Sequence, residues 1–176
     1  MCTDDFAGHW AHNANLSVKA IMGMAGYSEM AKMLGFNNIA DKYATIAKKM
    51  AVKWEEMANE GDHYRLAFDR EDTWSQKYNM IWDKMWGLNL FPNNVISKEI
   101  NYYLTKQNPY GLPLDSRKDY TKSDWIMWTA AMSSDQATFE KFVDPLYKYV
   151  NETISRVPIS DWYDTCLLYT SDAADE

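Results

Sequence analysis

At 176 residues, 47% of them hydrophobic, the chain is long enough for one domain with a sizeable core. A formal net charge of −7, with no cluster of Lys and Arg, argues against nucleic acid and membrane surfaces as partners. No apolar run approaches the roughly 20 residues of a membrane-spanning helix. Eight Trp and twelve Tyr suit either a thick core or a sugar-binding cleft, because these rings bury large areas yet keep a polar handle.

A polar loop at residues 2–13 leads into a first expected helix over 13–34, ended by Gly35. Between Asn15 and Gly35 only Lys19, Glu29 and Lys32 are charged, which predicts a helix covered on most sides. The second expected helix, 38–59, carries Ile39, Tyr43, Ile46, Met50, Trp54 and Met57 on one stripe and lysines and glutamates opposite, the pattern of a surface helix. The pair recurs. After a loop at 62–78, residues 78–90 read as a buried helix and 94–106 as an amphipathic one with Lys98 and Glu99 on its polar face. After a loop at 115–125, the uncharged stretch 125–132 lies in a buried helix over 123–132, and 134–151 reads as a surface helix that Pro145 should kink or restart. A fourth loop, 155–164, has no helix after it.

Alternating buried and surface helices joined by long polar loops predict an all-α stack of helical hairpins in an inner and an outer layer. Every long loop precedes an inner helix, so the loops should emerge on one face. Loops of this length are usually functional.

The loops Cys2-Thr-Asp-Asp-Phe-Ala-Gly-His9, Ala11-His-Asn-Ala-Asn-Leu-Ser17, Gly61-Asp-His-Tyr-Arg-Leu-Ala-Phe-Asp69, Thr73-Trp-Ser-Gln-Lys-Tyr-Asn79, Gly111-Leu-Pro-Leu-Asp-Ser-Arg117, Ser155-Arg-Val-Pro158 and Ser160-Asp-Trp-Tyr-Asp164 closely resemble the glutaminase A family. The resemblance covers about residues 2–165. It implies an (α/α)6 toroid of which this chain holds roughly three of six hairpins, with an N-terminal β-rich domain and the remaining hairpins elsewhere in the complete protein. It also implies hydrolysis of L-glutamine to L-glutamate and ammonia, and a secreted, periplasmic or cell-surface location. Residues 166–176 resemble the in-frame translation of a transposase sequencing adapter, so the expected domain is 1–165 and the rest an artefactual tail.

Within the loops, Asp4 and Asp5 are adjacent carboxylates that either divide into an acid and a base or simply cap the first helix. Asp124, in the first turn of an inner helix, and Asp115 are the other candidate catalytic carboxylates; the plainer reading of Asp124 is a first-turn acid that complements the helix dipole. His9 and His12 lack a suitably spaced third ligand, so no metal is expected, and no cofactor. His12 is expected to position substrate, together with His63, Gln76, Arg117, Arg156, Asp161 and Trp162. Arg65 or Lys77 either grips a substrate carboxylate or neutralises Asp62, Asp69 and Asp72. Trp74 is a possible stacking wall, and Trp125 suits core or binding surface. No serine-hydrolase elbow or phosphate loop is present.

Three functions remain open on this reading: an amidohydrolase acting on glutamine, a toroidal glycosidase with paired carboxylates acting on carbohydrate, and a non-catalytic carbohydrate-binding toroid. The 176 residues alone are expected to be inactive, with uncovered apolar edges.

Overall fold

The computed structural model describes residues 9–154 and 158–168. Cys2, Asp4, Asp5 and Arg156 lie outside the described residues. Six α-helices form three successive pairs: α1 (Ala14–Met33) with α2 (Asn37–Ala58), α3 (Ile81–Trp86) with α4 (Asn93–Leu104), and α5 (Ser123–Ala131) with α6 (Gln136–Glu152). A 3-10 turn, Tyr78–Met80, leads into α3. Two short strands, β1 (Tyr120–Lys122) and β2 (Trp162–Asp164), pair antiparallel with Thr121 opposite Tyr163. Among the described residues the protein is all-α apart from this ribbon.

Helix α1 starts where the Asn13 side chain accepts the Leu16 N–H at 2.9 Å, and it stops at Gly35, whose φ of +80° suits a residue without Cβ. The stripe of α2 buried against it is Ala40, Ala47, Ala51, Trp54 and Ala58. This corrects the expected stripe by about one position. Alanines let two helices approach closely and keep their contacts dense, so the bulkier Ile39 and Met57 fall on the exposed flanks. Trp54 locks the pair by donating its indole N–H to the Ala14 carbonyl at 2.8 Å. Helix α1 is also covered on fewer sides than its composition predicts, since Met24, Tyr27, Met30 and Met33 are exposed.

The second inner helix is shorter than expected. Asp83, buried, accepts the N–H groups of Leu90 and Phe91, and Gly87 adopts φ +63°, so the chain turns out of the helix at that point. Lys84 reaches across to the carbonyls of Ala131 and Ser133, both at 2.8 Å, and thereby closes the C-terminal end of α5. In α4 the stripe is Val95, Glu99, Ile100 and Tyr103, so Glu99, expected on the polar face, is fully buried.

Helix α6 continues through Pro145 rather than restarting after it. Proline removes the N–H that would bond to the carbonyl of Lys141. The side chain of Gln107 supplies a donor instead, at 3.0 Å from that oxygen.

Candidate functional site

The loops knit into one continuous surface at the end where the inner helices begin. The loop before α1 joins the loop after α2 through Ala14 N–H to Leu66 O (2.7 Å) and Phe68 N–H to His12 O (3.1 Å). That second loop joins the third through Gln76 N–H to Leu114 O (2.8 Å) and Ser116 N–H to Trp74 O (3.0 Å). The third joins the fourth through the β1–β2 ribbon and through Thr165 N–H to Asp119 O (2.8 Å). Gly111 permits this last junction. A Cβ there would fall 2.9 Å from both the Ile126 side chain and the Tyr163 hydroxyl.

At the centre of this surface, Gln76 and Lys77 are wholly buried, which corrects their assignment as ligand-binding groups. The Gln76 amide donates to Leu112 O, Pro113 O and the Thr121 hydroxyl, and accepts from Thr129. The Lys77 ammonium donates to Tyr64 O and Ser75 O and sits 3.4 Å from Glu99. Tyr103 donates to the same carboxylate and accepts the Lys77 backbone N–H. Burial pushes the Lys77 amine below its ordinary range, opposed by Glu99, and pushes the Tyr103 phenol well up. Lys77 therefore neutralises Glu99 of α4 rather than the loop aspartates. Trp74 is largely buried beside Tyr103 and turns its remaining exposed edge to the loop cleft.

Asp115 is nearly inaccessible as well. Its oxygens accept the Arg117 backbone N–H, Nε (3.0 Å) and one terminal nitrogen (2.6 Å). It is thus a carboxylate that aims an arginine at the wall of the loop cleft. Arg117 lies over the Trp10 ring, 5.2 Å from its centroid, and Arg70 lies 5.3 Å from the same ring. His63 is buried between Asp62 (2.7 Å) and Glu60 (3.4 Å) and stacks on Tyr102. Its hydrogen bond holds the Asp62 carboxyl below the usual range. Arg65 faces Glu60 and Glu71 and donates to Phe68 O, so this group braces the outer edge.

At the start of α5, Trp125 stacks on Tyr78 with centroids 4.6 Å apart. Lys122 lies over the same Trp125 and pairs with Asp161 at 2.9 Å. Asp124 is exposed and accepts the Trp125 N–H at 2.9 Å. Trp162 packs on Tyr120. His12 is exposed, adopts φ +61°, and bonds through Nδ1 to Asp69 at 3.0 Å, which lowers the Asp69 carboxyl.

A cleft of about 290 Å³ opens among the loops, lined by Trp74, Lys106, Asn108, Ser116, Arg117 and Lys118. A larger hollow, about 720 Å³, lies at the opposite end of the hairpins between Asn89, Asn94, Ser97 and Thr138. The charged groups there are already engaged: Asp83 and Lys84 by backbone, Asp135 by Thr138. The loop end therefore offers the chemically versatile groups. Among the described residues no set of His, Cys, Asp and Glu is arranged to hold a metal ion.

Comparison with known proteins matches residues 1–171 to the glutaminase A six helical-hairpin domain. The chain belongs to the glutaminase A family. It is 34% identical over 167 residues to glutaminase A of Aspergillus oryzae, covering 93% of this chain and 24% of that protein. To a probable glutaminase of Arthroderma benhamiae it is 33% identical, covering 94% of this chain and 22% of that protein. The chain thus spans about a quarter of the length of these curated relatives. The sequence reading gave no site role to Trp10, Arg70, Glu99 or Tyr103, and named Asp69 only as a charge to be neutralised. Only Glu99 and Tyr103, four apart on one helical face, carried a local signal of pairing.

Proposed function

We propose that these residues form part of the substrate rim of a glutaminase-type amidohydrolase, which in the full-length protein converts L-glutamine and water to L-glutamate and ammonia. The observation that supports it is the similarity to glutaminase A across nearly the whole chain. The rim chemistry is compatible. Glutamine carries an α-carboxylate, an α-ammonium and a neutral side-chain amide. Arg117, held by Asp115, is the planar cation suited to the carboxylate. Asp124, the exposed candidate carboxylate among the described residues, suits the ammonium. Water attack on the amide carbon then needs a base and a proton for the leaving nitrogen. On this reading the full-length protein acts on a small-molecule substrate at a secreted, periplasmic or cell-surface location.

One observation favours a carbohydrate-directed alternative. Tyr78, Trp125, Trp128, Trp82 and Trp86 form a chain of ring contacts along the inner helices, and Trp86 is half exposed. Such rings can stack against sugars. Assaying the full-length protein for ammonia release from L-glutamine and for reducing ends from oligosaccharides separates the two. Ammonia without sugar release is expected; the reverse result would transfer the protein to the glycosidases, and binding without turnover would make it a lectin-like toroid.

A further inference from the structure

We propose that His12, oriented by Asp69, is the base that takes the proton from the attacking water; this rests on the glutaminase reading above. Two of the chain's histidines have described ring partners, and their surroundings differ. His63 has a carboxylate against each ring nitrogen, Asp62 at Nδ1 and Glu60 at Nε2, and is buried. Among the described residues His12 has a carboxylate at one ring nitrogen. Asp69 engages Nδ1 at 3.0 Å, and the ring is 63% exposed at the entry of the first inner helix. An ionised carboxylate can only accept, so Nδ1 carries the hydrogen, and in the neutral ring the Nε2 lone pair points away from Asp69. That is the tautomer a general base needs, fixed by the same logic as the His–Asp part of a hydrolase triad.

The backbone supports a functional reading. A non-glycine residue at φ +61° is uncommon and must be held in place. Here the holding is visible: the His12 carbonyl accepts Phe68 N–H, Asn13 and Ala67 form a bridge, and Asn13 caps α1. Ala67 and Phe68, immediately before Asp69, thus pin the loop that presents it. Among the described residues the charged neighbours are Asp69 and, acting on that carboxylate, Arg70 from the second loop; His9 shares the ring's own loop.

In the reaction, Nε2 accepts a proton as the water oxygen bonds to the amide carbon and the C=O electron pair moves onto oxygen. The imidazolium then returns that proton to the amide nitrogen as the C–N bond breaks. Ammonia leaves, the carboxyl remains on glutamate, and His12 is neutral again. Asp69 touches no reacting atom; it is a positioning residue.

Two measurements test this. In the full-length protein, His12→Gln should lower kcat on glutamine by about 100-fold or more and remove the acidic limb of its pH profile, whereas His63→Gln should retain that limb. In the 15N spectrum of the chain at pH 8, His12 should show a protonated Nδ1 and a bare Nε2, and Asp69→Asn should redistribute the hydrogen. Turnover and an acidic limb unchanged in His12→Gln would overturn the proposal, as would a folded chain with the His12 hydrogen on Nε2. A protein that shows the expected tautomer but never hydrolyses glutamine would sink the substrate reading and leave the base in place for another amide.

Discussion

Lys77 illustrates how a charged side chain can be essential to a functional surface without meeting a ligand. Its ammonium spans Tyr64 O, Ser75 O and Glu99, and thereby ties the second loop to α4. A buried pair of this kind gains little over an apolar pair, yet removing one partner strands the other in a medium that cannot solvate it. Lys77→Met and Glu99→Gln should each therefore destabilise the fold by about 3–5 kcal/mol, measured by urea denaturation. The double variant should recover part of that loss. Simple additivity of the two would show that the residues do not act as a pair. Gln76 shows the same economy with a neutral group: one amide serves Leu112, Pro113, Thr121 and Thr129. Both residues looked like ligand contacts because polar residues in a polar loop are expected at the surface. Their burial follows from three loops layering over them, which no local pattern announces.

Helix ends and helix interruptions carry the next set of expectations. Asn13→Ala removes the acceptor for the Leu16 N–H and should cost about 1 kcal/mol, visible as a lower melting temperature. Asp135 caps α6 by accepting the Thr138 N–H at 2.9 Å, and these hydrogen bonds hold its carboxyl below the ordinary 3.8. A carboxyl lowered in the folded state contributes stability above its unfolded value and loses that contribution as pH falls through its folded value. The native chain should thus weaken as pH drops below about 4, and Asp135→Asn should flatten that part of the stability curve. An identical acid limb in both proteins would remove Asp135 from the account. The Gln107 bond to Lys141 O makes a third test. Gln107→Ala should cost about 1 kcal/mol when Pro145 is present and less in Pro145→Ala, where the backbone N–H supplies the donor. An equal loss in both backgrounds would mean that Gln107 does not stand in for the missing N–H.

Across the molecule, each hairpin buries one side and leaves apolar side chains on another. Met30, Met33, Leu34, Met85 and Trp86 are all more than half exposed. Contiguous patches of this type promote association in water. The 176-residue chain should self-associate in sedimentation experiments, and Met85→Lys with Trp86→Lys should reduce the associated fraction. An ideal monomer for the native chain at high concentration would contradict this. Among the described residues no helix is long and apolar enough to cross a membrane.

The hairpin plan was legible from sequence because helical periodicity and polar loops are local patterns. The 3.6-residue repeat marked all six helices to within a few residues at most boundaries, and the loop motifs pointed to the family. The one-position shift of the α2 stripe, the burial of Glu99, the continuity of α6 through Pro145 and the pairing of His12 with Asp69 were not legible. Each depends on partners 22 to 57 residues away, or on how closely two helices approach. Periodicity reports which face of a segment avoids water, whereas the protonation, orientation and reach of a side chain are set by what the folded chain brings against it.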